Sequence, residues 1–204
     1  MKKLIFVLAI LVIGCIPLPS INTIVSDEYR VFEPELLGSW ASFERPNPSE
    51  YYEFTEMETD SVSRYRIVEN FYKNSDTSQC SATLVRIDDE YWLDFEFDFD
   101  DEETGTRLMD LGNLSTMTML PVHNFCRVDS FSPSLTLSIF NPDWLSEYAG
   151  RHPSGIVTLS AANPDLPVFT GSLEEMQGFL IQYGHDDNLF VPLVTLMRTT
   201  EIDN

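Results

Sequence analysis

Over residues 91–100 apolar and polar positions alternate without a break: Tyr91, Leu93, Phe95, Phe97 and Phe99 share one parity, and Trp92, Asp94, Glu96, Asp98 and Asp100 the other. Successive side chains of a strand point to opposite faces, so this period predicts a strand with a buried aromatic face and a solvated acidic one. Shorter stretches of the same kind occupy 36–43, 51–55, 62–68, 82–87, 106–111, 117–128 and 135–140. Polar, turn-forming runs at 74–78, 100–105 and 129–134 separate several of them.

The final third changes period. Asn141-Pro142-Asp143 has the chemistry of a helix start, with Asn141 as cap, Pro142 at the first helical position and Gly150 as a stop. A second helix is predicted over 172–183, where Ser172 and Glu175 form a capping-box pattern and Leu173, Met176, Phe179, Leu180 and Tyr183 make one apolar stripe before Gly184. Short strands are expected at 155–160 and 192–199, and a frayed tail over 200–204. The expected fold is mainly β (α+β): an antiparallel barrel-like or strongly curved sheet of about eight or more strands. Two short helices in the C-terminal third lie outside it or across an end.

With 204 residues and 43% hydrophobic content, one domain is expected, spanning 27–199. Lys and Arg number 12 against 33 Asp and Glu, a formal charge of −21. That excludes nucleic acid as a partner, because phosphate binding depends on clustered cations that release counterions.

Lys2 and Lys3 precede an unbroken apolar run at 4–13, too short for a bilayer span, which needs about 20 residues. The run ends in Val12-Ile13-Gly14-Cys15, which resembles the lipobox of a bacterial lipoprotein signal peptide. The resemblance implies that residues 1–14 are a signal peptide removed by cleavage, and that Cys15 carries a thioether-linked diacylglycerol and usually a third, amide-linked chain. The membrane is then a partner, held by acyl chains at about 0.8 kcal/mol per buried CH₂ without any basic patch. The resemblance places the protein in the bacterial cell envelope, and Ile16, standing where an inner-membrane retention Asp would be, favours the outer membrane of a Gram-negative cell. Residues 15–26, with Pro17 and Pro19, are expected to be the lipidated Cys and a tether. In an oxidising compartment a Cys80–Cys126 disulfide is one expectation, contributing about 4 kcal/mol by the chain-entropy estimate, and a buried unpaired thiol the other.

Gly38-Ser39-Trp40, at the start of the first expected barrel strand, resembles the G-x-W signature of lipocalin-like barrels, in which the Trp plugs the barrel base. The implied role is a carrier of a small hydrophobic ligand, with Trp40, Leu84, Phe95, Phe97, Phe99 and Leu137 lining a cavity. A barrel of about eight strands is also just large enough for its own side chains to fill, so a packed core is the competing expectation.

The remaining candidate chemistry is sparse. Asp94, Glu96, Asp98 and Asp100 project from one strand face at spacings that would suit a hard cation such as calcium, but no EF-hand loop is present and a solvated strand face accounts for them more simply. His123, His152 and His185 are scattered, and His185-Asp186-Asp187 lacks the spacing of a zinc site. Pro153-Ser154-Gly155 is no nucleophile elbow, and Cys126 and His123 fall on opposite strand faces. No catalytic residue, resident metal or cofactor is therefore expected. The leading functional reading is a lipid-anchored binding or interaction module, followed by the lipocalin-like carrier, with an envelope hydrolase behind both.

Overall fold

The computed structural model describes residues 19–42, 50–59, 62–71, 77–96, 123–153, 155–159 and 167–199. Its centre is a closed antiparallel barrel of eight strands: β2 (Gly38–Ser42), β3 (Glu50–Thr59), β4 (Val62–Phe71), β5 (Thr77–Ile87), β6 (Glu90–Glu96), β7 (His123–Ser130), β8 (Ser134–Phe140) and β11 (Phe190–Arg198). Consecutive strands pair from β2 through β8, and β11 closes the ring between β8 and β2. The expected barrel is thus observed. The strand expected at 106–111 and the tail at 200–204 lie outside the described residues.

Between β8 and β11 the chain leaves the barrel to form α1 (Pro142–Arg151), β9 (Val157–Leu159), β10 (Pro167–Phe169) and α2 (Leu173–Tyr183). Both helix starts follow from local chemistry. Asn141 Oδ1 accepts the amides of Asp143 and Trp144, and Ser172 and Glu175 form the reciprocal capping box.

The two strand parities build two cores. Inward residues, among them Trp40, Phe54, Tyr65, Ile67, Leu84, Leu93, Cys126, Leu137 and Leu196, fill the barrel. Outward residues Val85, Ile87, Trp92, Phe125, Phe140 and Phe190 are instead covered by Leu145, Met176, Phe179 and Leu180 of the helices, together with Ile24 and Phe169. The aromatic rings interlock there, with Trp92 stacked on Phe140 and Phe125 set edge-on to it. Arg127 secures α2 by donating to the Gly184 carbonyl at 3.1 Å while its guanidinium lies 4.1 Å over the Phe190 ring.

This second core corrects two expectations. Residues 19–26 are not a loose tether: β1 (Pro19–Ser20) pairs with β7 and with β10, and Ile24 is fully buried in the outer core. Nor is the acidic parity of β6 wholly solvated, since Trp92 and Asp94 beneath that cover are 0% and 2% exposed. A period-two pattern distinguishes two faces but carries no information on what covers the second.

Candidate functional site

The two ends of the barrel differ. At the lower end the chain arrives along β5, where the Val31 amide donates to the Leu84 carbonyl and Arg86 to that of Tyr29. It then crosses beneath the barrel through a 3-10 turn at Pro34–Leu36. Phe32 stacks on Tyr65 at 5.1 Å, and the Tyr65 hydroxyl accepts from the Glu33 amide and donates to its carbonyl. Burial pushes the Tyr65 phenol up to about 12.

Trp40 completes this seal. Its indole N–H donates to the Leu36 carbonyl at 2.9 Å, and Arg198, its cross-strand partner on β11, lays its guanidinium 4.3 Å over the ring. Arg198 also donates to the carbonyls of Leu37 and Glu35. Gly38 makes the close approach feasible: its φ is +117°, and a Cβ there would lie 2.7 Å from an Arg198 nitrogen. The glycine two residues before Trp40 therefore has a physical cause in this chain.

Toward the upper end burial falls off. Trp40, Tyr65, Leu84, Leu93 and Leu135 are fully buried; in the upper half Tyr52, Cys80, Phe95, Asn124 and Val191 are half-buried while Cys126 and Ile139 stay buried, and at the lower end Tyr91 is half-buried. Of the expected cavity residues, Trp40, Leu84 and Leu137 belong to the packed lower and middle layers and Phe95 to this mouth. Phe97 and Phe99 lie outside the described residues. Asn124 places an amide beside Phe95, its direct cross-strand partner on β6, so the mouth offers apolar surface with a polar edge.

A second constellation sits on the outer wall beside the mouth. Asp94 accepts from the Thr23 hydroxyl at 2.5 Å and the Ile24 amide at 3.1 Å, and its other oxygen meets His123 Nδ1 at 2.9 Å. The Asp94 hydrogen bond raises the proton affinity of His123 against the opposing effect of burial. Glu96 pairs with Arg64 at 2.6 Å, and Arg64 also donates to Thr83. The two described acids of the row thus have structural partners, while Asp98 and Asp100 lie outside the described residues. Among the described residues no group of three or more His, Cys, Asp or Glu is arranged to hold a metal ion.

His185 bridges Asp88 and Glu90 in the open, and both hydrogen bonds raise its proton affinity. His152 stacks on Tyr148 at the end of α1. No disulfide joins Cys80 and Cys126. Cys126 pairs with Leu93, and Leu93 with Leu84, which lies four residues along β5 from Cys80. That offset alone is about 13 Å at about 3.3 Å per residue, with β6 intervening, well beyond the ~7 Å limit for bridged Cα atoms. Burial pushes the Cys126 thiol up, as for an inert core sulfur. Cys15 and Ser154 lie outside the described residues.

Thr23, Arg64, Asn124 and Arg198 are absent from the expectations drawn from sequence. Their roles depend on partners far away in the chain, as with Arg198 and Leu37, 161 positions apart. Among the described residues no helix is long and apolar enough to cross a membrane. Comparison of the chain with protein-family models, curated proteins and solved structures returns no match.

Proposed function

We propose that this protein is a lipid-anchored component of the bacterial cell envelope that binds a small, largely apolar ligand in the mouth of its barrel. One observation carries the binding reading: the barrel is sealed at one end by Phe32, Trp40 and Arg198 and grades to half-buried Tyr52, Cys80, Phe95 and Asn124 at the other. Sites of this kind are concave and apolar with few polar groups to orient the ligand. The lower barrel is filled by its own side chains, so the ligand is shallowly seated, with its apolar part against Tyr52 and Phe95 and a polar group at Asn124. The Gly38-Ser39-Trp40 resemblance to lipocalin-like barrels points the same way, and the lipobox ending at Cys15 supports the anchor.

The test is titration with an apolar fluorophore whose emission rises on leaving water, using the intact chain and two variants. Phe95→Lys at the mouth should weaken binding at least tenfold, whereas Arg66→Ala on the outer wall should leave it unchanged. Equal binding by all three, or none by the parent, would refute a mouth site. Slower alkylation of Cys80 in the presence of the fluorophore, at unchanged Cys126 reactivity, would place the probe independently.

A further inference from the structure

The outer ledge formed by β1, β10 and β9 is unusual for so acidic a chain. Among the described residues of the ledge, 19–26, 155–159 and 167–171, no side chain is charged, although 22% of the chain is charged. Ile21 is 47% exposed on this ledge, Thr158 is exposed, and Asn22, Ile156, Val168 and Thr170 are half-buried. We propose that this ledge is the surface on which the folded body rests against the lipid bilayer. The inference rests on the anchored reading above, because what brings the ledge to the membrane is Cys15.

Two further observations support the bilayer as occupant. Cys15 stands four residues before Pro19, and four residues reach at most about 14 Å when fully extended. The anchor is therefore a short leash. It also ends on a rigid point, because Pro19 and Ser20 pair with Asn124 and His123, and Thr23 and Ile24 are bonded to buried Asp94. Whatever part of the body lies beside β1 is therefore held within about 14 Å of the anchored Cys15.

An acidic surface there would be repelled by anionic lipid and would strip water from carboxylates, whereas uncharged Ile, Val and Thr can enter the interfacial layer. Glu175 at the start of α2 borders the ledge beside Gly171, so a zwitterionic surface suits it better than an anionic one. Because Pro19 pairs with Asn124 on the mouth rim, the same contact holds the barrel mouth beside the bilayer. A ligand could then pass from membrane to mouth without crossing bulk water.

The test uses the full chain, produced in a bacterial host that processes lipoproteins and reconstituted into phosphatidylcholine vesicles, with Cys80→Ser removing the accessible native thiol. Nitroxides are attached at Thr158→Cys or Ile21→Cys on the ledge and at Arg66→Cys on β4, and their collision rates with oxygen and a water-soluble nickel complex are compared. The expected result is a several-fold fall in nickel accessibility at both ledge positions on membrane attachment, with none at Arg66. A processed mass carrying the acyl chains but equal nickel accessibility at all three sites would overturn the ledge proposal and leave the anchor standing. A processed mass without acyl chains would overturn the anchor and the ledge together.

Discussion

Asp94 and Glu96 occupy equivalent positions two residues apart on one strand face, and the structure assigns them different weights. Asp94 is 2% exposed and ties residues 23–24 and His123 to the barrel wall. In Asp94→Ala the buried Ile24 amide and the Thr23 hydroxyl lose their acceptor and His123 its partner. Each orphaned buried group costs about 1–3 kcal/mol, and breaking a buried charge pair costs about 3–5 kcal/mol. These losses overlap, so the expected destabilisation is about 3–5 kcal/mol. Glu96 pairs with Arg64 at the surface, with side chains 43% and 30% exposed, and such pairs contribute about 1 kcal/mol or less. Urea unfolding of the body from Ile16 onward, followed by tryptophan fluorescence, should shift its midpoint down by about 2 M for Asp94→Ala, with m of about 2 kcal/mol/M. The shift for Glu96→Ala should stay below about 0.5 M by the same conversion. Comparable shifts for the two variants would refute the assignment of Asp94 as the latch of residues 19–26.

Gly38→Ala should destabilise the body by about 2–4 kcal/mol, combining a positive-φ penalty of about 1–2 kcal/mol with displacement of Arg198 from Trp40 and the Leu37 carbonyl; Arg198→Gly in the same background should recover little, because the backbone strain remains. His123 binds its proton more tightly in the folded body than in the unfolded chain, so its contribution is fully present below about pH 6.5 and is lost as pH rises through the folded value. A stability profile from pH 6 to 9 should therefore fall less steeply in His123→Gln than in the parent. Exposed His185 contributes a weaker slope of the same sign, which His185→Gln isolates. Alkylation of the native protein should modify Cys80 and spare Cys126 until it unfolds, and the exported protein should carry the mass of two thiols.

What was legible from sequence was local. The parity of β6, the Asn141 cap and the Ser172–Glu175 box each depend on residues within a few positions of one another, and the structure forms all three. The count of consecutive alternating stretches similarly led to the barrel. What escaped depends on distant partners. The two residues of β1 have no period of their own and become a strand only because β7 and β10 lie on either side. Asp94 appears solvated from its neighbours and is buried because Thr23, 71 positions earlier, folds over it. Trp40 was legible as a plug through Gly38, whereas the arginine that covers it stands at the far end of the last barrel strand.

Whether the barrel mouth holds an apolar ligand is decided by native mass spectrometry of the body from Ile16 onward, exported to an oxidising compartment and gently desolvated. The expected spectrum contains a fraction carrying an additional noncovalent mass of a few hundred daltons, characteristic of a small hydrophobic molecule, lost on denaturation and diminished in Phe95→Lys. A bare polypeptide mass that remains bare after incubation with extracted envelope lipids would contradict it.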